Sequence, residues 1–132
     1  MDEPPPSPGH SVAIVEDDDE VRRSLVMMLR ARGYRVDAYR SASEVRLLPF
    51  PLVTDCLLTD YKMPGIDGLK LLELLVDDGW RKPAILITGF LSPHLRAKAV
   101  LTGFGSIIEK PACARLVCSE IDRLCQGPPE PA

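Results

Sequence analysis

Basic charge, aromatic side chains, paired cysteines and long apolar runs are all scarce in this chain. Sixteen Lys and Arg stand against nineteen Asp and Glu, for a net charge of −3, so the basic surface that grips nucleic acid is not expected. No apolar stretch approaches the roughly 20 residues that cross a bilayer. The opening MDEPPPSPGH has neither the basic nor the apolar region of a secretion signal. The expectation is a cytoplasmic protein that contacts neither membrane nor nucleic acid directly. Cys56, Cys113, Cys118 and Cys125 include no CxxC pair, and His10 and His94 lie far from them along the chain. Such spacing suits neither zinc nor a disulfide framework, so reduced thiols are expected.

What the chain does have is enough apolar content for one core: 45% of its 132 residues are hydrophobic. Prolines cluster at both ends, with Pro4, Pro5, Pro6 and Pro8 at one and Pro128, Pro129 and Pro131 at the other. Proline ends helices and breaks strand ladders, so residues 1–10 and 127–132 are expected to be tails around a domain over 11–126. Pro5 and Pro8 match the PxxP pattern, which in so short a tail reads as plain linker.

Between the tails, apolar runs alternate with amphipathic stretches. Residues 12–15, 56–59 and 84–87 read as buried strands, with a weaker strand over 36–39 and a short one over 106–108. Val21, Leu25, Met28 and Leu29 share a helical face over 19–32, closed by Gly33. Met27 and Met28 are expected to do no more than pack. Ser41 and Glu44 suit a capping box before a short helix ending near Pro49. Residues 65–68 read as a loop in which Asp67 caps a helix through Leu69, Leu71, Leu72, Leu75 and Val76 before Gly79; Trp80 is expected to cover an apolar edge. Helices over 93–102 and 112–125 complete a (βα)₅ pattern. Uniformly apolar strands alternating with helices imply a parallel sheet covered on both faces, with its working site at the strands' carboxyl ends.

Those ends carry Glu16 and Asp17 after the first strand, Asp60 after the third, Thr88 after the fourth and Lys110 after the fifth. Three acids brought together repel one another unless a cation sits among them, and all-oxygen ligation suits a hard ion such as Mg²⁺. A carboxylate beside Mg²⁺ can attack phosphorus, with Lys110 supplying charge and Thr88 a hydroxyl donor. Taken singly, each residue has an ordinary reading: an acidic helix start, a turn, a strand-end hydroxyl, a surface lysine. Asp18, Asp19 and Glu20 keep that reading, as do Asp67 and Gly68 as cap and turn.

The stretches IVEDDDEVR, LLTDYKMPGIDG, ILITG and IIEKP resemble, in order and separation, the receiver domains of two-component response regulators, and most nearly those of the nitrogen-fixation regulator type. The resemblance implies a flavodoxin-like doubly wound sheet of order 2-1-3-4-5. It makes Asp60 the phosphoacceptor and Asp17 the main Mg²⁺ ligand, with Glu16 reaching the metal through water and Lys62 through its backbone carbonyl. Thr88 and Lys110 become the switch hydroxyl and the phosphate-binding lysine, and the Lys110 to Pro111 bond is expected to be cis. The implied donor is a histidine kinase or histidine phosphotransfer protein. The implied readout is a protein-interaction surface, in a monomer or in a phosphorylation-dependent dimer through the fourth helix, fifth strand and fifth helix.

Several positions depart from that pattern. Glu16 stands where aspartate is more usual. Ile107 replaces the tyrosine or phenylalanine that swings inward on activation, and Phe104 is bulky where a small residue is usual. Phe104 either enlarges the partner face or fills space left by Ile107, the second being favoured. Lys62 and Phe90, each two residues beyond a site residue, are expected to tune how fast water removes the phosphate. No output domain is visible; the initial methionine and short tails lean toward a free-standing protein. These departures also motivate an alternative, a receiver-like module that binds its partner without phosphate. An aspartate-nucleophile phosphatase needs an acid where Lys62 stands, and a flavin carrier needs a Ser/Thr/Gly-rich loop after the first strand.

Overall fold

The computed structural model describes residues 9–126; the terminal proline runs, including the PxxP match, lie outside the described residues. Five strands and five helices alternate: β1 (Ser11–Val15), α1 (Asp19–Ala31), β2 (Arg35–Tyr39), α2 (Ala42–Arg46), β3 (Cys56–Asp60), α3 (Gly68–Asp77), β4 (Ala84–Thr88), α4 (Pro93–Thr102), β5 (Ser106–Glu109) and α5 (Ala114–Gln126). The strands form one sheet, parallel as the pattern predicts and in the order the resemblance implies, β2-β1-β3-β4-β5.

Alternation along each strand decides which helices it meets. Ala13, Val15, Leu57 and Leu86 point to the face covered by α2, α3 and α4, through Val45, Leu71, Leu72, Leu75 and Leu95. Val12, Ile14, Leu58, Ile85 and Ile87 point to the other, against Leu25 and Leu29 of α1 and Val117 and Ile121 of α5. The central strands β3 and β4 are buried along their whole length, whereas the edge strand β2 buries Val36 alone. Each fully buried Leu or Ile contributes about 1.5–3 kcal/mol, so the sheet's centre, where the acids emerge, is its most firmly held part.

Caps form at Ser41 and Asp67 as the sequence suggested, accepting from Glu44 N–H and Lys70 N–H, and Asp18, read only as part of an acidic helix start, caps α1 by accepting from Glu20 and Val21 N–H. α2 ends at Arg46 with Leu47 as its C-cap, close to Pro49 as expected, and Leu48 before the proline is kept out of helical geometry. Other expectations are corrected. Met27 is exposed rather than packed, because it falls outside the Leu25/Leu29 stripe. Asp60 and Thr88 are the last residues of β3 and β4 rather than the first beyond them, paired in register with Ile87 and Glu109.

Phe104 is buried beside Leu72 and Ala99, with half-buried Ile107 packed against the same cluster. Gly103 takes φ +122°, which turns the chain sharply after α4, and Phe104 N–H then bonds Ala99 O at 3.1 Å. That turn aims the ring inward, so Phe104 fills core space and does not enlarge a surface.

Candidate functional site

β1, β3, β4 and β5 deliver their carboxyl ends to one edge of the sheet, beside a cleft of about 710 Å³ lined among others by Asp60, Lys62, Thr88, Phe90 and Lys110. At the same edge, carboxylate oxygens of Glu16, Asp17 and Asp60 all lie within 4.8 Å of one another. Glu16 is 2% exposed and Asp60 8%, while Asp17 reaches solvent. Lys110 Nζ spans the cluster, donating to Glu16 Oε1 at 3.1 Å and to Asp60 Oδ2 at 3.0 Å. The Lys110–Pro111 bond is cis, as the resemblance implied.

Three carboxylates against one ammonium leave an excess of negative charge. At such separations each like pair costs about 3–4 kcal/mol for an effective dielectric near 20. Burial, reinforced by the Asp60 charge, pushes the Glu16 carboxyl up to about 7 despite its bonds to Asp18 N–H and Lys110. Burial pulls Lys110 down, but its bonds to Asp60 and Glu16 outweigh this and raise it. The donor set is oxygen throughout and short of positive charge, which fits a hard divalent cation better than a soft one.

Thr88 is buried, with Oγ1 accepting from Phe90 N–H at 3.1 Å, so its own proton is available to a group in the cleft. Thr88 O accepts from Lys110 N–H at 2.8 Å, which fixes the root of the lysine side chain. Lys62 and Phe90 sit exposed at the mouth. Asp67 lines the cleft yet spends its carboxylate on the α3 cap.

Two contributors escaped the sequence reading. Arg22 Nη1 donates to Glu16 O at 3.0 Å, pinning the acidic loop onto α1; its spacing of six residues from Glu16 was the available signal. Gly68, read as a turn, is the other. Its N–H bonds Tyr61 O at 2.8 Å, and a Cβ placed on it would stand 2.3 Å from Asp60 O. The start of α3 therefore presses directly on the backbone of Asp60.

Comparison with known families agrees with this geometry. A model of the response regulator receiver domain matches residues 12–122. The chain belongs to the response regulator receiver domains. Receiver relatives include the transcriptional regulatory protein FixJ of Azorhizobium caulinodans, 37% identical over 100 residues, which make up 76% of this chain and 47% of that one. FixJ of Rhizobium meliloti is 32% identical over 86% of this chain and 56% of its own. This receiver chain thus spans about half the length of these relatives. The solved structure of FixJ-N aligns with a TM-score of 0.81 and 30% identity over 94% of this chain and 99% of that one. The receiver domain of the Francisella response regulator 1452, at 19% identity and a TM-score of 0.83, covers 89% and 98% and shares the fold. Among the described residues no helix is long and apolar enough to cross a membrane.

One consequence of the buried Glu16 can be measured in this receiver. Its folded pKa, near 7, lies above its ordinary 4.5, so ionising it in the fold is harder than in the unfolded chain. The resulting destabilisation is absent below pH 4.5, develops as pH rises to 7, and is full above that. Metal-free Glu16→Gln should therefore gain stability relative to the parent across this window, and Mg²⁺ should narrow the gap. Thermal unfolding of both proteins between pH 4.5 and 8, with and without Mg²⁺, checks it; a gap independent of pH would refute it.

Proposed function

We propose that Asp60 accepts a phosphoryl group from a histidine kinase or histidine phosphotransfer protein in the cytoplasm, and that the modified receiver alters a protein-binding surface. The carrying observation is the placement of a nearly buried carboxylate within 3.0 Å of Lys110 Nζ and within 4.8 Å of two further acids. An Asp60 oxygen attacks phosphorus as the bond to the donor's imidazole nitrogen breaks, and that nitrogen keeps the electron pair. Lys110 is placed to shift from Asp60 Oδ2 to the charge developing on a transferring oxygen, and Thr88 Oγ1 to donate to a second. Asp17, Asp60 and the Lys62 carbonyl would hold Mg²⁺, with Glu16 behind them acting through water. When bound, that ion would neutralise the phosphoryl charge and the excess negative charge of the acids.

An output surface is available. α4 exposes Val100 and Leu101, and α5 exposes Leu116, apolar groups that suit a protein partner or a second receiver. The matched relatives are transcriptional regulators, and control of a transcription-regulating partner or domain is the output we assign.

The test is to incubate the protein with Mg²⁺ and acetyl phosphate and to weigh it. A gain of one phosphate that hydroxylamine removes and a chelator prevents is expected. No gain from acetyl phosphate or from any cognate donor would overturn the reading in favour of phosphate-independent binding. Once phosphorylated, the lifetime should depend on the groups at the mouth: Lys62→Ala and Phe90→Ala open the path of attacking water and should each shorten it by at least about threefold, roughly 0.6 kcal/mol. Unchanged decay in both would remove them from that role.

A further inference from the structure

A second cleft, of about 660 Å³, opens at the opposite end of the sheet, between the connection from α2 to β3 and the end of α3. Its lining includes Val45, Leu48, Phe50, Leu52 and Trp80. Around it the connection is unusually apolar toward solvent: Leu47 is 82% exposed, Phe50 60% and Val53 83%. Trp80 packs against the core, and its indole N–H is enclosed without an acceptor among the described residues. Buried donors are almost always met. Nothing in the acidic site calls for these features, which lie at the amino ends of the strands.

An aromatic donor between exposed apolar side chains suits an extended proline-rich strand. Its rings stack on the aromatic faces, and its backbone carbonyls, unbonded within a polyproline II helix, are free to accept. The chain carries such a run, Pro4, Pro5, Pro6, Ser7 and Pro8, immediately before Gly9. Gly9 enters the fold at the same end of the sheet. Its carbonyl accepts from Arg35 Nε at 3.0 Å, and Ser11 N–H donates to Asp55 Oδ2 at 2.8 Å, directly beside the connection that forms the cleft. At about 3.1 Å per residue, eight residues reach roughly 25 Å, several times the spacing of neighbouring strands, about 4.8 Å. Tethering sets an effective concentration on the order of millimolar, at which even weak docking is populated. The segment begins with Asp2 and Glu3, and Arg81 and Lys82 are exposed next to Trp80, while Asp78 is already paired with Arg46.

We propose that this cleft is a docking site for the chain's own residues 4–8, bound in cis, with the Trp80 indole N–H donating to one of their backbone carbonyls. The indole N–H is enclosed, so this bond requires the wall of the cleft to yield at the indole edge on docking. Because this surface is remote from Asp60, the inference stands whatever the outcome of phosphorylation.

Trp80 is the only tryptophan, so a single indole N–H resonance reports on the site. The full chain is compared with a chain lacking residues 2–8, with a Pro4→Ser/Pro5→Ser/Pro6→Ser variant, and with a chain lacking residues 127–132. Far-UV circular dichroism confirms that all are folded. In the full chain the indole proton should exchange with water roughly fivefold more slowly than in the first two variants, with a matching change in chemical shift. A synthetic MDEPPPSP peptide should restore that shift to the shortened chain saturably. Identical shift and exchange in the full chain and both N-terminal variants would overturn the proposal. So would a change produced only by removing 127–132, or one that scales with protein concentration, since these name the other tail or a second copy as the occupant.

Discussion

Asp60→Asn should take up no phosphate under conditions in which the parent gains one, a loss on the order of 10⁴-fold or more for a removed nucleophile. The amide nitrogen and oxygen of asparagine carry no net charge and cannot displace the donor. Nor can the neighbouring acids substitute. Glu16 is almost fully buried and keeps its proton up to about pH 7 without a cation, and Asp17 lies at the exposed rim. Folding should survive, because the amide side chain would occupy the same volume and its oxygen could still accept from Lys110 Nζ, which stands 3.0 Å from the Asp60 carboxylate. Removing one of three crowded negative charges should leave the metal-free variant at least as stable as the parent. Intact-mass spectrometry reads the first expectation and thermal unfolding the second. Phosphate retained at full stoichiometry would place the acceptor elsewhere, and a large loss of stability would mean that the Asp60 charge serves the fold.

Gly68→Ala is expected to be the most damaging small substitution outside the acids. Its φ is ordinary, so backbone conformation is not the obstacle; space is. A methyl there would meet Asp60 O at 2.3 Å and Leu86 Cδ1 at 3.1 Å. Leu86 could give way, but the Asp60 carbonyl belongs to a central strand buried along its whole length. Either α3 withdraws, stretching the Gly68 N–H to Tyr61 O bond, or β3 shifts and takes the Asp60 side chain with it. Overpacking of this kind costs about 1–3 kcal/mol, a drop of several degrees in Tm, and phosphorylation should slow in parallel. Gly89→Ala is the control, since that position has open space and an ordinary φ. Equal Tm values for the two variants would show that α3 moves freely and that Gly68 does not position the site.

Much of this was legible before any coordinates. The strand assignments rest on short apolar runs bounded by breakers, and those runs survive intact in β1, β3 and β4 because their residues have nowhere to go but a sheet covered on both faces. The strand-end positions of Glu16, Asp60, Thr88 and Lys110 followed from the same counting. Boundaries were less secure: Asp60 and Thr88 close β3 and β4 instead of following them, because ladder pairing with a neighbouring strand, not the polarity of the side chain, sets where a strand ends. For Phe104 the sequence left two placements open and favoured the space-filling one, which the turn at Gly103 decides by directing the ring into the core.

Local pattern therefore determined the elements, their parallel arrangement and the list of residues at the working edge, since each depends on side chains within a few positions of one another. Tertiary structure alone decided how those residues meet. Lys110 bridges Glu16 across 94 positions and Asp60 across 50, Gly68 abuts the Asp60 carbonyl, and Phe50 and Trp80 come together around a cleft on the far edge. Such contacts follow from how helices settle on the two faces of the sheet, and packing over that range leaves no periodic trace in the chain.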